Sequence, residues 1–411
     1  MGTGPPRRRR AEPALERSLA YFDALAGTPW GNLVVARRDD EARAEAAVAA
    51  GPLEGLVAAV KDNIDVASLP TRLGSDASDD RPAGVDAAVV AAVRRVGAVI
   101  AAKTHLHELG AGVSGLVGRD GPARHPLDPE RITGGSSSGA AALVALGAAD
   151  FALGTDTGAS VRAPAALCGC VGFVPRQDRL PRHGVTPLNP TLDRVGVLAR
   201  DLRTMRRVWT ALADPPVPLD RPLRIGVVAT GAEPAVALGV AAAARALDAR
   251  HEVTQLRFGR ADELRSIYRV VSAFEFARLV DGQGERAALL QPELRTLLDA
   301  TRFPGEGEYA EALVALASAR TTVAEELGVD VLLLSTVPVT APRAAGVDRA
   351  VHARLLADCT PFSVLDWPAL SIPAPGPGLP VGVQLVGVRI DEAELLAVAA
   401  LLPGGVPEVV S

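Results

Sequence analysis

The sequence predicts an α/β protein: a large twisted mixed β-sheet, mostly parallel, covered by helices on both faces. Three observations carry that expectation. Short unbroken apolar runs alternate with helix-periodic segments through the first 160 residues, as buried parallel strands and their crossover helices do. Two of those runs, residues 56–60 and 99–102, end on a lysine, Lys61 and Lys103. A Gly/Ser loop at 133–139 opens directly into an Ala/Leu segment, the pattern of a loop entering a helix.

In order, residues 1–12 read as a disordered basic tail and 13–411 as a single domain. Leu15, Leu19, Phe22 and Leu25 recur at helical spacing over 13–26, and Gly27 stops them. Residues 39–50 are rich in Ala, Glu and Arg and read as a second helix, ended by Gly51. A strand at 56–60, a helix at 86–96 and a strand at 99–102 follow. Residues 140–148 form the next helix, and 151–153 a short strand leading into a second Gly-rich loop. From 213 to 330 the character changes to a strand at 225–229 and long helices over 233–249, 261–281, 286–300 and 308–327. Strands at 331–334, 369–373 and 382–386 and a helix at 391–402 complete the chain.

A chain of 411 residues buries about three quarters of the surface its unfolded form exposes, so it needs no disulfide or metal staple. Aromatics are only 3%, too few for a base-stacking platform. The net charge is −5, and four of the positive charges are the arginines at 7–10, so the rest is more acidic still. That balance excludes a nucleic-acid footprint. The arginine run is followed by Ala11-Glu12-Pro13 and not by an apolar stretch, and no apolar run approaches the roughly 20 residues of a membrane span. Three cysteines make no disulfide framework, and Cys168-Gly-Cys170 lacks the gap of a redox or zinc pair. A reducing, cytoplasmic setting is expected.

Two loops carry the chemistry: Thr133-Gly-Gly-Ser-Ser-Ser-Gly139 and Gly154-Thr-Asp-Thr-Gly-Ala-Ser160-Val-Arg162. Such loops converge backbone N–H groups on one point, suited to a phosphate or to the oxyanion of acyl transfer. Neither matches a P-loop or a dinucleotide fingerprint, which favours acyl transfer. None of the six histidines stands in a serine-hydrolase context, whereas Lys61 and Lys103 both end apolar strands. Burial there lowers a lysine's pKa and supplies a neutral amine as base. Taken singly, each of these residues also has an ordinary structural reading: a helix cap for either serine, a salt bridge for either lysine.

Together the motifs resemble those of the amidase signature family. They run Gly55-Leu-Val-Ala-Ala-Val-Lys61-Asp-Asn-Ile-Asp65, Lys103-Thr104 with Glu108, Gly134-Gly-Ser136-Ser-Ser-Gly139, Gly154 through Pro164, Gly184-Val-Thr-Pro187 and Leu192-Asp-Arg-Val-Gly196. Trp367 through Pro373 and Leu379 through Gln384 continue the likeness near the end. The resemblance covers about 30–200 and 350–390, and it makes 205–345 the variable helical region that sets specificity.

That resemblance implies a Ser–cis-Ser–Lys triad: Ser160 as acyl-forming nucleophile, Ser136 as bridging serine after a cis peptide at Gly135, and Lys61 as base. It implies oxyanion donors at Thr157, Gly158, Ala159 and Ser160, and places Gly110 at the acyl pocket. It implies neither metal nor cofactor, a small amide or carbamoyl substrate, and a fold compatible with a homodimer. An acyltransferase, or the glutaminase subunit of a tRNA-dependent amidotransferase, is the alternative. Lys103, Asp156, Arg162 and Asp193 are expected to be structural, Cys168 and Cys170 to be small core residues, and Arg176, Arg182 and His183 to lie at the surface. Departures from the family pattern are Ala159 for a glycine, Ser137-Ser138 for Ser-Gly, Arg176-Gln-Asp178 for Thr-x-Gly, and Ser363 and Asp366 where Asn and Gly are frequent.

Overall fold

The computed structural model describes residues 10–403. Its centre is one mixed sheet of 11 strands. The first half of the chain contributes α1 (Ala11–Leu25), β1 (Val34–Arg37), α2 (Asp39–Val48), β2 (Val57–Lys61), α3 (Ala88–Arg95), β3 (Val99–Thr104), α4 (Ser138–Ala145), β4 (Phe151–Asp156), α5 (Arg162–Cys168), β5 (Val171–Val174), β6 (Arg194–Ala199) and α6 (Leu202–Leu212). The second half adds β7 (Arg224–Val228), α7 (Pro234–Asp248), β8 (Glu252–Leu256), α8 (Ala261–Asp281), α9 (Pro292–Asp299), α10 (Glu306–Leu327), β9 (Val331–Ser335), α11 (Arg349–Ala357), α12 (Thr360–Val364), β10 (Ala369–Pro373), β11 (Gly382–Gly387) and α13 (Glu392–Ala399). The strand order is β1-β3-β2-β4-β6-β5-β10-β11-β9-β7-β8.

The α/β class and the two-sided helical cover are as expected, but the parallel majority is not. Only β2–β3, β2–β4, β7–β8 and β7–β9 run parallel. The other six neighbouring pairs are antiparallel. Of the four strands the sequence reading did not pick out, β1, β5, β6 and β8, the pair β5 and β6 sits in the middle of the sheet and reverses its direction there. The expected helix over 286–300 is a 3-10 turn at Gly284–Leu289 followed by α9, because Pro292 can start a helix but not continue one. The helix expected from residue 13 begins at Ala11, so the last two residues of the expected tail are helical. Arg7, Arg8 and Arg9 lie outside the described residues.

Strand alternation divides the core into layers. Ala58 and Val60, Phe151 and Leu153, Leu370 and Ile372, and Val331 and Leu333 face one side, against α3, α6, α7 and α13. Val57 and Ala59 face the other, against α1, α2 and α4. Further along that second face, Leu332 and Leu334 meet α8, α10 and α12. The small residues Ala140, Ala141 and Ala142 of α4 let it lie close on the sheet. Lys61 continues the Val57–Ala59 face. β2 and β4 are parallel with Val60 opposite Leu153, so Lys61 and Thr155 come together at the carboxyl ends of neighbouring strands. That end of a sheet is where open α/β folds hold ligands. No helix among the described residues is long and apolar enough to cross a membrane.

Candidate active site

Lys61 ends β2 only 1% exposed and has no carboxylate partner among the described residues. Its Nζ reaches three oxygens: Ser136 Oγ at 2.8 Å, Thr155 Oγ1 at 2.7 Å and Thr155 O at 3.3 Å. An ammonium's three hydrogens are all spent on these. Burial lowers the Lys61 pKa from 10.5 to about 7, against the opposing pull of Asp193 and Asp156. Once one proton leaves, the amine can accept one back from a hydroxyl. The other strand-ending lysine differs: Lys103 Nζ is ion-paired with Asp62 Oδ1 at 2.9 Å, the structural role expected of it.

Ser136 lies on the loop before α4, and the Gly135–Ser136 peptide is cis. Three serines stand in a row here, and their contacts differ. Ser136 meets Lys61, Ser137 donates to Thr155 O at 3.4 Å, and Ser138 donates to Ser136 O at 3.3 Å. Ser160 follows β4 on the turn into α5. The two serine loops are joined by Ser137 N donating to Ser160 O at 3.1 Å. The Ser160 hydroxyl itself makes no hydrogen bond among the described residues, so the Ser160–Ser136 link of a closed relay is not formed in this structure. Ser160 lines an apolar cavity of about 280 Å³, together with Gly110 and Thr157.

Four consecutive backbone N–H groups, those of Thr157, Gly158, Ala159 and Ser160, donate no hydrogen bond among the described residues. Every one of these residues is buried. Buried donors are nearly always satisfied, so four unspent in a row beside the cavity are free to meet an acceptor that enters it. Arg162 fixes their direction. It is fully buried and donates to Asp156 Oδ1 and Oδ2, Gly158 O, Ser363 Oγ, Cys359 O and Gln384 Oε1. The N–H of a trans peptide points opposite its C=O, so with Gly158 O held by Arg162 at 2.8 Å, the Ala159 N–H faces away from that anchor. Burial would raise the Asp156 carboxyl, but the Arg162 charge overrides it and holds the pKa below the ordinary value. Asp156 Oδ2 also accepts from Val161 N at 3.0 Å and Arg162 N at 3.3 Å.

Asp193 crosses from β6's approach to the same loop. It accepts from Thr157 Oγ1 at 2.5 Å, Leu188 N at 2.8 Å and Asn189 N at 2.9 Å. Burial raises its pKa to about 6 despite these bonds. Asp156, Arg162 and Asp193 are braces, as the sequence suggests. Ala159 keeps a negative φ, and its methyl packs with Val113, Ala163 and Leu167, so it narrows nothing at the cavity. Gly158 cannot be replaced as easily: a Cβ there would lie 2.3 Å from the Tyr268 hydroxyl. Ser363 joins Arg162 and Arg194, and Asp366, where glycine is frequent in the family, has φ +54° and accepts from Gln177 N.

Arg176 pairs with Glu392, Arg182 donates to Pro190 O, His183 is exposed, and none of the three lines the cavity. Cys168 and Cys170 are buried free thiols. The sequence reading missed Thr155 and Asn63, whose Nδ2 donates to Thr155 Oγ1 at 3.1 Å, and also Tyr268, Arg269 and His352 on the cavity wall. Thr155 was within reach, since it lies near the end of β4, the strand that runs beside β2. Asn63 lies two residues beyond Lys61 in the same motif, whereas Tyr268, Arg269 and His352 sit in helices with no motif to mark them.

Comparison with known proteins gives the family and its fold. A family model described as Amidase matches residues 28–396. A glutamyl-tRNA(Gln) amidotransferase subunit from Synechococcus sp. (strain RCC307) is 31% identical, over 94% of this chain and 93% of that protein. A solved chain from a vestigial protein complex linked to the origins of an s-triazine catabolic enzyme superposes with a TM-score of 0.87 at 28% identity, covering 96% of this chain and 95% of that one. A 6-aminohexanoate cyclic dimer hydrolase complexed with substrate gives 0.84 at 26% identity, covering 97% and 94%.

Proposed function

The chain belongs to the amidase family, and from that premise we propose that it is a cytoplasmic hydrolase of small amides or carbamoyl compounds acting through an acyl-enzyme on Ser160. The observation that carries this reading is the isolated buried amine of Lys61, 2.8 Å from Ser136 Oγ, beside a loop of unspent N–H donors.

In the forward step, neutral Lys61 takes the Ser136 proton while Ser136 takes the Ser160 proton. Ser160 Oγ then bonds to the substrate carbonyl carbon. The negative oxygen that forms is held by the N–H groups of Thr157 to Ser160. The proton on Lys61 returns through Ser136 to the amide nitrogen, the C–N bond breaks, and the amine or ammonia leaves. Water attacks the ester by the same relay, its proton passing to Ser160 as the acid departs. The Ser160–Ser136 hydrogen bond closes when substrate fills the cavity, since such bonds commonly tighten only in the complex. Three buried free thiols suit a reducing compartment.

The test is ammonia or amine release from a panel of primary amides and carbamoyl compounds. Wild type turns over some members, and Ser160→Ala turns over none. Retained turnover by the variant in a clean preparation refutes the nucleophile.

Relatives named as amidotransferase subunits favour a second reading, a glutaminase that works with partner chains. Glutamine carries an α-ammonium, which a pocket satisfies with a carboxylate, and no Asp or Glu lines this cavity. Glutaminase activity appearing only on adding such partner chains would reverse the choice. A homodimer is the assembly proposed for the isolated chain, read by sedimentation equilibrium.

A further inference from the structure

The wall of the Ser160 cavity is apolar over most of its surface, with Leu188, Phe276, Phe303 and Leu356 among its residues. Its one charged side chain is Arg269 of α8. Arg269 is exposed and has no ion-pair partner among the described residues; its only hydrogen bond is to Ser266 Oγ at 3.4 Å. The neighbouring positions on the helix, Arg265, Ser266, Ser272 and Ala273, hold no acid. The buried acid on that helix, Glu275, is engaged by Thr191 and Tyr309 instead. Arg269 is one of the described arginines that no carboxylate pairs, and it is the one of them that lines this cavity, so it stands beside a hydrocarbon wall with its guanidinium open to a ligand. A guanidinium offers a planar fork that matches a carboxylate, and the bond strengthens where water is partly excluded.

We infer that this cavity selects amides whose acyl part is an apolar chain ending in a carboxylate, with the carboxylate held by Arg269 and the amide carbonyl presented to Ser160. The inference rests on the acyl-enzyme reading above and narrows its substrate.

The experiment compares kcat/KM for monoamides of straight-chain dicarboxylic acids with that for straight-chain amides of equal length. Wild type should favour the carboxylated series about tenfold or more, and added salt should shrink the preference. Arg269→Met should erase the preference by slowing the carboxylated series alone, and Arg269→Lys should keep part of it. Neutral amides are the internal check on folding. Turnover of neutral amides with no carboxylate preference overturns the inference and leaves the hydrolase reading standing. Equal slowing of both series by Arg269→Met also overturns it. Anion recognition is read without turnover by protecting Ser160 from a fluorophosphonate with suberate. Protection that Arg269→Met removes supports the inference, and no protection of wild type overturns it.

Discussion

Replacing Lys61 with Ala removes the base and should remove the pH dependence with it. With its pKa lowered to about 7, half of Lys61 is the neutral amine at neutral pH. At the ordinary 10.5, about one molecule in 3,000 would be. Burial therefore raises the working fraction of base by roughly 1,500-fold, and the pKa change behind it corresponds to about 5 kcal/mol at 1.36 kcal/mol per pH unit. The sign follows: deprotonation creates the active form, so kcat/KM should climb about tenfold per pH unit below 7 and level off above it. Lys61→Ala should fall about 10²- to 10⁴-fold at neutral pH and lose the inflection. The assay is ammonia release from the best amide of the panel, from about pH 5 to about pH 9. A variant within tenfold of wild type, or an inflection near 7 that survives in the variant, refutes the reasoning.

Lys61 should also tilt stability. The unfolded chain keeps its lysine proton up to 10.5 while the folded chain sheds it near 7, so unfolding free energy should rise with pH across that window, and Lys61→Met should flatten the slope in urea melts. Arg162→Met leaves the buried Asp156 carboxylate without its partner, which should cost about 3–5 kcal/mol in the same melts and free Gly158 O to turn. Gly110 has φ +78°, and a Cβ there would come to 3.7 Å from Ser136 Oγ, ordinary contact. Gly110→Ala should therefore lose about 1 kcal/mol of stability through the backbone alone, with a matching fall in Tm.

What could be read from residues alone was the part built from local rules. The lysine-ended strands and the Gly/Ser loop into α4 drew attention to Lys61 and to the two loops, and the resemblance carried by the order of motifs then singled out Lys61, Ser136 and Ser160. The parallel majority was inferred from the strands whose helices follow them directly. β5 and β6 escaped because each is a run of four to six residues with no helix-period segment between them, and their antiparallel pairing is a property of the whole sheet. Arg162 was legible as a brace but not its reach, since Ser363 and Gln384 lie about 200 residues away in sequence. The cavity wall was least legible. Tyr268, Arg269 and His352 belong to α8 and α11, which carry no motif, and only packing brings them to Ser160.

The account turns on a proton moving from Ser160 through Ser136 to an uncharged Lys61. The most direct measurement is the rate of Ser160 phosphonylation by a fluorophosphonate as pH varies, followed by intact mass and peptide mapping. The account predicts a single adduct on Ser160, a rate that rises to a plateau with its midpoint near 7, and a loss of about 10²-fold or more with that midpoint in Ser136→Ala. An adduct on another serine, or an undiminished rate in Ser136→Ala, would contradict it.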